Sequence, residues 1–219
     1  MWKTLAILGL GIYLPAVGAS ADFWQTKAAD SWTEKECAKM LSDSPWSKKM
    51  PIWRSVSQRT TTTTQTPSTT GKGTKTSSKT VTSKTQVSDG LVGVRWESAA
   101  PLLAATSRID PRLRKAFGQI AGDYYLVSLT RLEPGTDPEI MVNDLKAGSV
   151  LKVGDRMMKA FQVLAMDVGY GPFYVLQFSR DGSLESYTKD VELEVRFRGK
   201  TSRVWFQPKH MVFEGKAAL

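Results

Sequence analysis

Residues 191–207 read VELEVRFRGKTSRVWFQ, and this stretch decides the fold class. Val191, Leu193, Val195 and Phe197 alternate with Glu192, Glu194, Arg196 and Arg198. A period of two places one row on a core and the other in water, as in a half-solvated antiparallel sheet. Gly199-Lys200 turns the chain into a second strand over 203–207, and a last short strand is expected at 211–214. Working back towards the N-terminus, 160–168 and 173–179 read as strands joined through Gly169-Tyr170-Gly171-Pro172, and Arg180-Asp181-Gly182 as a tight turn. In 124–132, Tyr125, Val127 and Leu129 share one face, and 91–97 reads as a first strand.

Helix signals lie between these strands. Asp110-Pro111 and Asp137-Pro138 each set an N-cap acid before a proline at the first helical position, with Gly148 ending the second helix. Ser98 is expected to cap a short Ala/Leu-rich helix. The pattern predicts an α+β domain over 89–219, an antiparallel meander with short helices packed on one side.

Upstream, residues 55–88 are dominated by Thr, Ser and Lys, including the run Thr60-Thr61-Thr62-Thr63-Thr64. Such a segment buries too little apolar surface to offset the entropy of ordering it, so a disordered linker is expected. Its hydroxyls and Pro67 also suit O-glycosylation.

Residues 22–54 form an aromatic-rich segment holding a capping box, Thr33 with Glu36, followed by Cys37, Met40 and Leu41 at helical spacing. Ser44-Pro45 stops that helix. With Phe23, Trp24, Trp32, Trp46 and Trp53 around it, the helix must dock, either on the domain of its own chain, which is the preferred reading, or in a partner's groove.

Residues 1–21 have the form of a cleavable export signal. Lys3 gives a basic start, 5–18 an uncharged apolar run, and Ala19-Ser20-Ala21 a small-x-small site. The run is shorter than the roughly 20 residues that span a bilayer, and no later stretch is long and apolar enough, so the mature chain is expected not to span a membrane. The protein is therefore expected in the periplasm or outside the cell.

The net charge of +9 is unevenly placed. Residues 22–53 hold five acids and five bases, 54–86 hold six bases (Arg54, Arg59, Lys72, Lys75, Lys79, Lys84) and no acid, and 87–219 hold eighteen bases and sixteen acids. Excess charge on an unfolded stalk is not the clustered basic face of a nucleic-acid binder, and export argues the same way. It suits loose contact with an anionic envelope surface. A single cysteine excludes an internal disulfide and a Cys-rich zinc site, and Cys37 reads as a small buried residue, with pairing between chains as the alternative.

Trp32-Thr33-Glu34-Lys35-Glu36, with Met40-Leu41 and Ser44-Pro45-Trp46, resembles a group of uncharacterised exported proteins associated with acidobacterial genomes. The C-terminal Lys209-His210-Met211-Val212-Phe213-Glu214-Gly215-Lys216 and Val94-Arg95-Trp96-Glu97-Ser98 are similar to the same group. The resemblance implies export and this domain layout, and no activity, cofactor or ligand.

Motifs for catalysis are sparse. His210 is the lone histidine, with no Gly-x-Ser-x-Gly elbow beside it, and it reads as a capping or surface residue. Glu192 and Glu194 share one strand face about 7 Å apart, a spacing compatible with paired-carboxylate hydrolysis, but that face is expected in water. Gly169-Tyr170-Gly171-Pro172 lacks the lysine and helix start of a nucleotide loop. Tyr124, Tyr125, Tyr170, Tyr174, Trp96 and Trp205 are candidates for a glycan surface, with core packing the commoner use.

The sequence thus points to an exported, non-enzymatic interaction module for a protein or envelope polymer, with no cofactor. A small envelope hydrolase with unidentified carboxylates is the alternative. The candidate partner-binding residues are Trp24, Trp32, Met40, Leu41 and Trp46 in the N-terminal segment and Arg196, Arg198 and Arg203 on adjacent strands, the arginines also being placed to pair with Glu192 and Glu194.

Overall fold

A computed structural model describes residues 22–67, 74–132, 137–167, 172–180, 184 and 189–219. The strand pair predicted from 191–207 is present as β8 (Val191–Phe197) and β9 (Lys200–Phe206), in register from Val191 opposite Phe206 to Phe197 opposite Lys200. Arg198 and Gly199 close the turn with φ of 50° and 71°, the left-handed pair that a two-residue hairpin requires.

These strands belong to one of two antiparallel sheets, so the α+β class holds while the single meander becomes two layers. The first sheet has the order β1-β2-β3-β7-β6, built from β1 (Ser47–Pro67), β2 (Thr74–Trp96), β3 (Tyr124–Thr130), β6 (Gln162–Asp167) and β7 (Pro172–Ser179). The second runs β5-β4-β8-β9, with β4 (Val150–Val153) and β5 (Arg156–Lys159) added to the C-terminal hairpin. The two edges β1 and β9 lie against each other.

The core is the space between the sheets. Inward rows from β2 (Val92, Val94, Trp96), β3 (Tyr125, Val127, Leu129) and β7 (Tyr174, Leu176, Phe178) meet those from β4, β8 and β9 in one cluster. Trp96 stands at its centre, edge-on to Tyr125 of its own sheet at 5.8 Å and to Phe206 of the other at 5.1 Å. The outward row of the first sheet is covered by α4 (Pro111–Ile120), where Phe117 and Ala121 pack on Leu126, Phe173 and Val175. Next to α4 lies α3 (Ala100–Ile109), which packs in turn on α2 (Glu34–Ser42). Asp110 caps α4 through the Arg112 amide and Asp137 caps α5 (Pro138–Gly148) through the Glu139 amide, as expected.

Two local expectations change. Ser98 does not cap α3, whose N-cap is Ala99; its hydroxyl instead accepts the Leu126 amide at 3.2 Å and ties the helix entry to β3. Gly148 closes α5 without a left-handed turn. It is glycine because a Cβ there would strike the Arg196 carbonyl of β8.

The N-terminal segment packs on its own domain. It carries α1 (Phe23–Thr26), a short 3-10 turn (Ala29–Ser31) and α2, whose capping box is complete: the Glu36 amide donates to the Thr33 hydroxyl, and the Thr33 amide to the Glu36 carboxylate. Trp24, Trp32 and Trp46 are buried, in edge-on contacts of Trp24 with Trp46 and Trp32 with Phe213. The Trp46 indole donates to the Ala218 carbonyl at 2.6 Å, and so ties the N-terminal segment to the C-terminal residues. Phe213 lies in the terminal hairpin of β10 (Val212–Phe213) and β11 (Lys216–Ala217), where the last strand was expected.

The largest departure concerns residues 55–88. Among the described residues of this stretch both halves are strands, the distal parts of β1 and β2, paired without interruption from Trp53 opposite Ser88 to Pro67 opposite Thr74. Core burial alone predicts disorder here, but a ribbon needs no core to satisfy half of its backbone groups, and the β-branched Thr60 to Thr64 run and Val81 favour extended backbone. The expected export signal and the Gly169-Tyr170-Gly171 turn lie outside the described residues, as does Arg180-Asp181-Gly182 beyond Arg180. No helix among the described residues is long and apolar enough to cross a membrane.

Candidate functional site

The eight residues singled out from the sequence separate into two groups. Trp24, Trp32, Met40 and Trp46 are enclosed in the core and Leu41 is packed against it, so this set holds the N-terminal segment to its own domain and offers no face to a partner. Burial also raises the Cys37 thiol above its ordinary value, with the side chain fully enclosed. His210 is exposed on the 3-10 turn Pro208–His210, so the two do not share an environment suited to a nucleophile and its base.

The arginines lie on the outer face of the second sheet, among carboxylates. Lys152 reaches Glu194 at 2.7 Å and Glu192 at 3.3 Å. Arg203 reaches the same two carboxylates at 2.9 and 3.3 Å, and Arg196 adds a contact to Glu194 at 3.5 Å. The Arg198 amide donates to Asp144 at 3.2 Å. Hydrogen bonding from Lys152, seconded by Arg203, holds the Glu194 carboxyl below the usual carboxylate range, and the same contacts raise Lys152 and Arg203. A general acid needs a carboxyl that keeps its proton near neutrality, and Glu194 is held in the opposite state. The cross-strand pairing anticipated with Glu192 and Glu194 is made by Arg203, whereas Arg196 meets Glu194 along its own strand.

The aromatic candidates are similarly divided. Trp96, Tyr125 and Tyr174 are core, whereas Trp205 is exposed and Tyr124 is half-buried, stacked on the exposed Phe161 at 5.6 Å. Tyr170 lies outside the described residues.

The feature that sequence reasoning missed is the ribbon. Distal to a bulge between Ile52 and Trp53, β1 and β2 run as a two-stranded arm of fifteen cross-strand pairs. At the usual rise this is about 45 Å. Residues 57–64 and 76–85 are exposed throughout, so neither face rests on the body. One face pairs Ser57 with Lys84, Arg59 with Thr82, Thr61 with Thr80 and Thr63 with Ser78; the other pairs Gln58 with Ser83, Thr60 with Val81, Thr62 with Lys79 and Thr64 with Ser77. The hydroxyls of Thr61 and Thr80 meet across the strands at 3.3 Å. Between Arg54 and Ser88 the sequence has no carboxylate, so every charged side chain on the arm is a cation. The charge expected on an unfolded stalk is thus displayed on ordered backbone.

At the root of the arm, Arg95 of β2 forms an ion pair at 2.8 Å with Glu97, which is fully buried and accepts the Ser128 hydroxyl at 2.6 Å. The signal for this pair was in the sequence: Arg95 and Glu97 are two apart on a strand, on the face opposite Val94 and Trp96. Nearby, a groove of about 700 Å³ runs between the N-terminal segment and the C-terminal turn, lined by Trp24, Lys39, Asp43, Lys48, Gln207 and His210. Among the described residues no cluster of His, Cys, Asp and Glu is arranged to hold a metal ion. Compared with models of known families, with curated proteins and with solved structures, the chain matches none.

Proposed function

We propose that this chain is an exported, non-enzymatic interaction module that holds an anionic envelope polymer along its basic ribbon. The observation that carries the reading is the arm itself, exposed on both faces, rich in hydroxyls, and bearing Arg59, Lys79 and Lys84 with no acid beside them. Lysine and arginine spaced along an extended ribbon attract a repeating anion, and threonine and serine hydroxyls donate to its oxygens. An isolated two-stranded ribbon is marginal in water, and a bound polymer would supply the missing contacts. Export rests on the form of residues 1–21, and it makes an envelope polymer a better occupant than nucleic acid.

The test is co-sedimentation of the mature chain with purified anionic envelope polymer, beside a variant in which 55–88 are replaced by Asn-Gly. Binding at low salt that weakens about tenfold or more by 200 mM salt, and is lost with the arm, is expected for contacts made by several cations. Unchanged binding by the arm-less variant sinks the proposal. So does tighter binding to duplex DNA than to the polymer, or steady release of soluble polymer fragments, which would mark a hydrolase.

A further inference from the structure

We infer that the root of the arm carries a phosphate-binding pocket. It is a cavity of about 180 Å³ between the end of α2 and the outward face of the first sheet, lined by Lys48, Lys49, Arg95 and Arg131 together with Ser42 and Ser47. Its floor follows from strand register. Lys49, Gly93 and Thr130 lie side by side across β1, β2 and β3, and Ser47, Arg95 and Ser128 form the next row. Gly93 lets the Thr130 hydroxyl lie against the floor, where a Cβ would strike it.

Four cations and no carboxylate line this space. Arg95 is fixed from behind by Glu97 and by the Phe173 ring, 5.3 Å from its guanidinium, so one wall is preorganised. Lys48, Lys49 and Arg131 have no ion-pair partner among the described residues. Arg131 joins the lining with φ of 63°, a left-handed backbone that is costly for a non-glycine residue. The hydroxyls of Ser42 and Ser47 already donate to the Ala38 and Met40 carbonyls, so recognition falls to the cations.

The volume is well below the roughly 300–1,000 Å³ of pockets that take whole small molecules, so the site takes one charged group. Several cations on one lining match a dianionic tetrahedral oxyanion better than a carboxylate, and arginine can engage two of its oxygens at once. The inference rests on the polymer reading of the arm only for the source of that phosphate, which is either free or carried by the polymer.

The experiment is an amide-spectrum titration of the mature chain with inorganic phosphate at constant ionic strength. Saturating shifts centred on Lys49, Gly93 and Arg131 are expected, weakened at least tenfold in the Lys49→Ala/Arg131→Ala double variant and unchanged in the arm variant Lys79→Ala/Lys84→Ala. Unsaturable shifts, equal saturation by acetate, or an unaltered midpoint in the Lys49→Ala/Arg131→Ala protein overturns the inference. Because inorganic phosphate does not need the arm, the pocket can fail while polymer binding survives, and the reverse.

Discussion

Glu194 stands where Lys152, Arg196 and Arg203 converge, on a strand whose other face is core. Its side chain is only 10% exposed, so its charge depends on these partners more than on water. Because its folded pKa is depressed from the ordinary 4.5, the stability it contributes is present above that value and is lost as pH falls through the folded one. Glu194→Gln is therefore expected to cost about 1–3 kcal/mol at pH 7, nearer the low end because Arg203 is half exposed. Thermal melts of the two proteins from pH 7 to pH 2 check this: the gap should begin to close below about pH 4.5 and be gone once the wild-type carboxyl is protonated. A gap independent of pH would show that packing, not charge, holds the site. Glu36 follows the same sign, with its pKa lowered to about 2 by its bond to Lys27 and by the Thr33 amide.

The bulge between Ile52 and Trp53 divides β1 and β2 into elements with different physics. Below it, Met50, Ile52, Val92 and Val94 are buried and β2 is paired on both sides; above it, each strand has a single partner. Since no side chain at 57–64 or 76–85 reaches the core, replacing 55–88 by Asn-Gly is expected to move the melting temperature of the body by no more than a few degrees in calorimetry. A loss of ten degrees or more would mean that the arm braces the sheets. The same division explains what could be read in advance. Strands β8 and β9 were legible because one face is buried and the alternation records it, whereas β3 and β7, buried on both faces, were legible as short apolar runs rich in aromatic and β-branched residues. The four-residue strands β4 and β5 are too short to show a period, and Met157 on β5 is exposed, so no clear alternation was left. The arm was illegible because hydroxyl residues exposed on both faces leave no hydrophobic signature; only cross-strand register orders them. For the same reason the site was half legible: the pairing of Arg203 with Glu194 follows from alternation, whereas the cations of the arm and of the pocket gain meaning only when register sets them side by side.

At the scale of the molecule, the chain enters and leaves its fold at one place. Trp46 meets Trp24 edge-on, donates to the carbonyl of Ala218, and immediately precedes the strand that leads into the arm. The N-terminal segment is thus held by buried aromatics and by pairing of residues 47–52 with 90–95, neither of which depends on chain continuity through the arm. Trypsin should therefore cut a chain of residues 22–219 first at the exposed Arg59, Lys79 or Lys84, and the two fragments should still elute as one species in native buffer. Separation should require denaturant. Trp46→Ala removes a fully buried indole and its hydrogen bond, at a cost of about 3–5 kcal/mol. That loss is comparable with the total stability of many domains, so the nicked variant should release its N-terminal fragment under conditions where the nicked wild type does not. If instead the nicked wild type falls apart on its own, the segment is held by the covalent chain rather than by its contacts. The aromatic residues at 24, 32 and 46 would then become a surface that a partner can compete for.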